Sequence, residues 1–446
     1  MRVSRSIASY YSWLNSRDEP DIVVAVDVGS ARVGCVIAEL GPDRPTVLAA
    51  ESAASYGIRA GEVINLKRAG EAISIAIEAA ADRAETDVKT VVVGFSGDVK
   101  ISSAKAALEL DRERRMVLAS DLARLKSGVV PEVGAGRRII HRFDGPYSVG
   151  DLQGVDYPEG LIGDRLEMQA AFLSADGDRL DNLLRAVRSA EVEIEAVALE
   201  PMACSLGALV EDERALGAAV LDLGAGAFRG ALWEGGRLKQ IHTVGREIPG
   251  VQSGSGRYAV GAALGINGME AVVLALSRRF RIATVTAERL LRSHGALSED
   301  VLATLPPTVE VAAVDGLSSV RIETKELSQT LEELLVPAIR SLREGLFGGS
   351  AGHVVSIVLT GGGARIKGLP TWISKRFGNA PVRLGAPGWK VNESASMPPE
   401  LLDCCGCSLA GLIALAAEGR ARLRYHGGAS LIRSVGNGLR KFVASL

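Results

Sequence analysis

The sequence predicts an α/β fold built from two similar halves that face one ligand across a cleft. Two short turns of the same construction carry that prediction, and a third Gly-rich turn supports it. In the first, the apolar run from Ile22 to Val26 ends in Asp27-Val28-Gly29-Ser30 and returns through Val33 to Leu40. In the second, Ala218 to Leu221 ends in Asp222-Leu223-Gly224-Ala225-Gly226 and returns through Gly230 to Trp233. The third follows the β-branched run Val354 to Thr360 and reads Gly361-Gly362-Gly363-Ala364-Arg365. An acid at the end of a buried strand, followed by glycine in a hairpin, brings backbone N–H groups close to a phosphate. The carboxylate can hold a hydrated divalent ion beside it. One Asp-x-Gly turn alone also marks any ordinary hairpin. Two copies and a bare triple-glycine turn, which lets a flat group lie on the backbone, favour a shared ligand site.

Around these turns strands and helices alternate, as in a layered α/β protein. Residues 22 to 56 read as a three-stranded meander, Leu66 to Ala84 as a helix, and Thr90 to Phe95 as a strand. The charged residues 109 to 126 read as a helix on a separate lobe, Arg137 to Leu173 as strands, and Asp178 to Ser189 as an amphipathic helix. Residues 1–20 are polar and read as a loose tail without a signal-peptide core, with an amphipathic membrane contact as the alternative.

Composition narrows the function class. A chain of 446 residues, 47% hydrophobic, buries more than one core and predicts about three domains. Net charge is only −2, which offers no global field for nucleic acid. No apolar stretch approaches the roughly 18 residues that span a bilayer. Five cysteines, with Cys404, Cys405 and Cys407 crowded together, form no disulfide framework and point to the cytoplasm. They read as small buried thiols on a Gly/Ala-rich helix, because no fourth zinc ligand follows until His426. Neither a covalent nucleophile nor a water-activating base stands out, so no catalytic residue is assigned.

The C-terminus carries a separate signal. Leu431, Ile432, Val435, Leu439, Phe442, Val443 and Leu446 recur at helical spacing and share one face, with Arg433, Arg440 and Lys441 off it. A short basic amphipathic helix with an aromatic residue lies well in the headgroup layer of an anionic membrane. Gly427-Gly428 before it reads as a tether; a helix docked on the protein's own core is the alternative. Gly436 and Gly438 each cost about 1 kcal/mol in helix propensity, which favours a helix formed on lipid.

The order and spacing of these pieces resemble the actin/Hsp70/sugar-kinase superfamily, and within it the bacterial cell-division FtsA family. The segments that carry the resemblance are Ala25-Val-Asp-Val-Gly-Ser-Ala-Arg-Val-Gly34, Gly57-Ile-Arg-Ala-Gly-Glu-Val-Ile-Asn65, Val91-Val-Val-Gly-Phe-Ser-Gly97, Glu200-Pro201 and Ile357-Val-Leu-Thr-Gly-Gly-Gly363. The resemblance implies an actin-like duplicated ribonuclease H-like core with two inserted lobes. Subdomain 1A would be 21–96 and 176–214, and an inserted subdomain 1C would be 97–175, which contains Gly160-Leu-Ile-Gly-Asp-Arg-Leu-Glu-Met168. Subdomain 2A would be 215–249 and 348–419, subdomain 2B 250–347, and the tether with its membrane helix 420–446. The Gly/Ser-rich stretch Val251 to Gly265 is extra to the pattern.

By the same resemblance ATP and magnesium would be held by Asp27, Gly29, Ser30, Arg32, Asp222, Gly224, Gly226, Glu288, Gly361, Gly362 and Gly363, with the ion bound to Asp27 and Asp222 through water and no direct metal ligand. Membrane contact would fall to Leu431, Ile432, Arg433, Val435, Leu439, Arg440, Lys441, Phe442 and Val443. The partners implied are the C-terminal tail of FtsZ on the 2B lobe, where Arg278, Arg279 and Arg281 suit an acidic peptide; other copies of the chain in an actin-like filament; later division proteins on 1C; and anionic membrane lipid. A solvated charged face is the alternative for the three arginines.

Departures from the pattern fall in the nucleotide pocket. Arg32 stands where relatives carry lysine, and a planar guanidinium is not a compact ammonium. The second turn ends Ala227-Phe228-Arg229, where relatives carry hydroxyls and a second acid, and Leu291 replaces a lysine near Glu288. Three readings stay open: ATP bound but poorly hydrolysed, a vestigial site on a retained scaffold, or true turnover. The function expected is a peripheral tether of FtsZ filaments at the inner membrane of the division site. The alternatives are an ATP-dependent enzyme or chaperone of the superfamily, or a PilM-like pilus-assembly scaffold.

Overall fold

The computed structural model describes residues 21–41, 44–110, 114–244, 268–348, 354–392, 395 and 397–425. They form two compact units, one of residues 97–181 and one of the chain on either side of it.

The larger unit contains two sheets with the same plan. In the first, Ile22–Val28, Arg32–Glu39 and Thr46–Ala54 form an antiparallel meander, and Thr90–Phe95 and Glu193–Leu199 add in parallel beside the first strand. In the second, Ala218–Leu223, Phe228–Glu234 and Arg237–Thr243 are the meander, with Ser356–Thr360 and Val382–Leu384 as the parallel strands. The central strands are buried on both faces and are correspondingly apolar throughout, as in Val23 to Val26 and Ala218 to Leu221.

Each sheet has its own core. The first is closed by the helix Cys407–Tyr425, whose Leu409, Leu412, Ile413 and Ala416 pack with Val23, Val36, Val47 and Val92. That helix crosses the helix Glu200–Ala208 at glycines. A Cβ on Gly207 would stand 1.9 Å from the Cys407 carbonyl oxygen, and one on Gly411 would stand 1.8 Å from that of Ala203. The second core gathers Leu221, Leu223, Phe228, Ile357 and Leu359 with three helices, Gly268–Phe280, Thr284–His294 and Thr324–Phe347. The short hairpin Thr308–Ala312 and Ser319–Glu323 leads into the last of these.

The smaller unit is an antiparallel sheet in the order Leu152–Val155, Arg137–Val149, Arg165–Asp176, Val99–Glu109, with the helix Ala119–Gly128 against it. One expectation changes here. Residues 109 to 126 are not one helix: Arg115–Met116 is a short strand and the helix starts only at Ala119. The charges that suggested a solvated helix face instead build a cap. Asp121 accepts from the Leu118 backbone N–H at 2.9 Å and from both terminal nitrogens of Arg115 at 2.7 and 2.9 Å. The crowded cysteines also differ in part from the expectation of one helix. Cys404 and Cys405 lie in a tight 3₁₀ turn, and only Cys407 opens the helix.

Candidate functional site

The two acid-glycine turns meet. Gly226 packs on the first turn so closely that a Cβ there would stand 2.1 Å from Ser30 Oγ and 2.8 Å from the Ala60 Cα. Ser30 Oγ also accepts from the Gly61 backbone N–H at 3.3 Å. Gly29 closes its own hairpin through an N–H bond to the Arg32 carbonyl at 3.0 Å. Gly224 and Ala225 give their carbonyls to the Met269 and Glu270 N–H groups, at 3.1 and 3.0 Å, so the second turn caps the helix Gly268–Phe280. The third turn serves the second: Gly361 has φ +81°, and a Cβ there would stand 2.6 Å from Asp222 Oδ1. Gly363 is pressed against Leu223 and Met269, while Gly362 faces open space.

Beneath the turns lies a buried charge cluster. Asp27 accepts from Ser408 Oγ at 2.5 Å, at the start of the helix Cys407–Tyr425. Asp222 accepts from Thr360 Oγ1 at 3.3 Å, from the neighbouring parallel strand. Arg229 lies opposite Asp222 in the antiparallel register and is only 4% exposed. Its Nη1 is 3.2 Å from Glu200 Oε2 and 3.7 Å from Asp222 Oδ2, and its Nη2 donates to the Ser96 carbonyl. Burial is the main force pushing both Asp27 and Asp222 up to about 7, and the Glu200 charge adds to it; Arg229 acts in the opposite sense.

Asp27 and Asp222, the acids expected to hold a hydrated magnesium ion, both lie in this cluster. Magnesium needs an octahedral oxygen shell at about 2.0–2.1 Å. A guanidinium already holds the position beside Glu200 and Asp222, and it would repel a divalent ion placed there. The other nucleotide candidates are less gathered. Arg32 is turned to Glu400 and to Ser52 Oγ, and Glu288 is exposed and paired with Arg292 at 2.5 Å on its own helix. Arg278, Arg279 and Arg281 are exposed near the end of the helix Gly268–Phe280, with Arg279 3.1 Å from Glu326. The expected membrane residues, Leu431 to Val443, lie outside the described residues, as do Val251 to Gly265 and the N-terminal tail.

Sequence reasoning gave no role to Glu200, Ser96 or Ser408. A signal for the first was present: like Asp27, Glu200 is an acid placed directly after an apolar strand, Glu193–Leu199.

Comparisons with known proteins agree on one family. Residues 219–402 match the family model described as cell division protein FtsA, and residues 98–174 match the SHS2 domain inserted in FtsA. The chain belongs to the FtsA family of cell-division proteins. Its FtsA relatives include those of Escherichia coli strain K12, 25% identical over 82% of this chain and 84% of the relative, and of Agrobacterium fabrum, 26% identical over 94% of both. The FtsA-type fold is actin-like. The chain superposes on a PilM–PilN type IV pilus biogenesis complex with TM-score 0.58 at 16% identity, covering 89% of this chain and 98% of that one. With MreB5 of Spiroplasma citri bound to ADP the TM-score is 0.50 at 12% identity, covering 91% and 99%.

Proposed function

We propose that this chain is an actin-like tether that couples FtsZ filaments to the inner face of the cytoplasmic membrane, assembles with itself, and helps to recruit later division proteins. The observation that carries the reading is the basic amphipathic pattern of Leu431 to Leu446, placed after Gly427-Gly428 at the end of an FtsA-family chain. Among the described residues no helix is long and apolar enough to cross a membrane, which agrees with a peripheral attachment. The exposed arginines 278, 279 and 281 offer an acidic FtsZ tail a basic face, and the 97–181 unit is assigned to later division proteins. Polybasic attraction to anionic lipid contributes about 1 kcal/mol per cation near the surface. Net charge of −2 gives no reason to add nucleic acid to the partners.

Liposome flotation of the intact chain against one ending at Gly427 tests this. The intact chain should float with anionic vesicles and carry FtsZ polymers with it, while the shortened chain stays at the bottom. Equal flotation of both would remove the tail from the mechanism. A scaffold of the pilus-assembly type is the second reading, favoured by the fold match to the PilM–PilN complex. That reading predicts no lipid dependence of FtsZ co-sedimentation.

A further inference from the structure

The two meanders of the core differ at one position in a way their shared plan does not require. Asp27 pairs across its hairpin with Gly34, and Asp222 pairs at the equivalent register with Arg229. The first half thus places a bare backbone beside its acid, and the second places a cation. Arg229 does not use that position to reach solvent. It runs inward to Glu200, Asp222 and the Ser96 carbonyl, and Ser96 follows directly on the first-half strand Thr90–Phe95.

We propose that Arg229 is the resident cation of the cleft: its guanidinium takes the place a divalent ion would occupy, and it holds the two halves closed without a magnesium nucleotide. The inference goes beyond the tethering reading and does not depend on it.

Charge accounting supports the assignment. Asp27, Glu200 and Asp222 are mutually repelling carboxylates in one buried neighbourhood, and a buried anion is tolerated only when paired. Arg229 supplies that pairing from the chain itself. Space supports it too. Gly226 lies against Ser30 and Ala60 with no room for a Cβ, so the two turns are already in contact. The second turn spends the Gly224 and Ala225 carbonyls on the helix Gly268–Phe280, which occupies that helix's leading N–H groups. The donors that an ion would use are nevertheless still there. Glu200, Cys204 and Asp222 offer ligand atoms within 4.8 Å of one another, and Glu200 Oε2 and Asp222 Oδ2 are buried without a hydrogen bond. Taking Arg229 away should therefore leave a vacated, strongly anionic hole of the right size for a small cation.

The test uses the full chain, the Arg229→Gly variant that copies the register position of Gly34, and the conservative Arg229→Lys variant. Thermal unfolding is followed in EDTA, in millimolar Mg²⁺, and in Mg²⁺ with ATP, and ATP binding is followed by calorimetry. The wild-type midpoint should be the same in all three buffers, with no heat of ATP binding. R229G should unfold earlier in EDTA and recover by about 4 °C or more in Mg²⁺. R229K, which keeps a cation, should stay insensitive to Mg²⁺. Saturable binding of Mg·ATP to the wild type, or an R229G protein as stable as wild type and indifferent to Mg²⁺, overturns the proposal. Should R229G fail to fold, the wild-type titration and the R229K scan decide it on the same terms. Flotation is not read in any of these arms, so failure here leaves the tether untouched.

Discussion

Replacing Gly411 by alanine forces apart two helices that touch backbone to backbone. The added Cβ would stand 1.8 Å from the Ala203 carbonyl oxygen, where ordinary contact begins at 3.4 Å, so the helices Cys407–Tyr425 and Glu200–Ala208 must separate by about 1.6 Å there. No side-chain rotamer can relieve a backbone clash. The separation would also loosen Leu409, Leu412 and Ile413, all at or below 1% exposure, from the first-half sheet. Overpacking of this kind costs about 1–3 kcal/mol, and alanine returns about 0.5–1 kcal/mol of helix propensity. The net loss is placed near the upper end, about 2 kcal/mol, which lowers the unfolding midpoint by about 3 °C in a body of this size. Gly419 lies in the same helix, is exposed, and has nothing within 4 Å of its would-be Cβ. Gly419→Ala should therefore leave the midpoint unchanged or raise it slightly. Differential scanning fluorimetry of the two variants beside the wild type is the assay. If G411A and G419A unfold together, the close helix crossing is not what holds the terminal helix down.

Burial pushes the Asp27 carboxyl well above the 3.8 of the free group, so the folded state keeps a proton that the unfolded state has released and stability falls as pH rises above about 4. Asp27→Asn should thus stabilise the protein relative to wild type at about pH 8, with the difference fading towards about pH 4; a pH-independent difference in midpoint contradicts the burial argument. Asp121 behaves oppositely. Its hydrogen bonds from Arg115 hold it down to about 2, so its contribution is complete above about pH 4 and is lost as pH falls through 2. Asp121→Ala should cost about 1–3 kcal/mol, read as faster amide exchange within residues 97–181 while the rest of the chain keeps its protection. Gly361→Ala, at φ +81° and against Asp222, should cost about 1–3 kcal/mol; an unchanged chemical-denaturation midpoint would show that the turn relaxes freely.

Much of the core was legible because its signals are local. A run such as Val23 to Val26 that is apolar on both faces, ending in an acid and a glycine, has few other uses than a buried strand entering a tight turn. The helix Leu66–Ala84 declared itself by its spacing, and the triple glycine by the close approach its backbone makes to Asp222. Residues 109–126 misled because charge density looks the same whether it faces water or folds back to cap a helix. Arg229 was visible as a change of charge beside the second turn, but its destination was not. Its partner Ser96 is 133 residues away, and only the register opposite Asp222 and the neighbouring Glu200 turn the side chain inward. The contact of Arg32 was hidden for the same reason: its partner Glu400 lies near the other end of the chain.

The grip of Ser408 on Asp27 has a mechanical side. The helix Cys407–Tyr425 is the last described element before the C-terminal segment, and its opening turn is fastened to the end of the first strand. Tension applied at its far end would run along the helix axis and arrive at Asp27 within one residue of its start. A chain pulled from that end would therefore load the heart of the molecule before it strained the rim, which makes the first hairpin the natural place for traction to be felt.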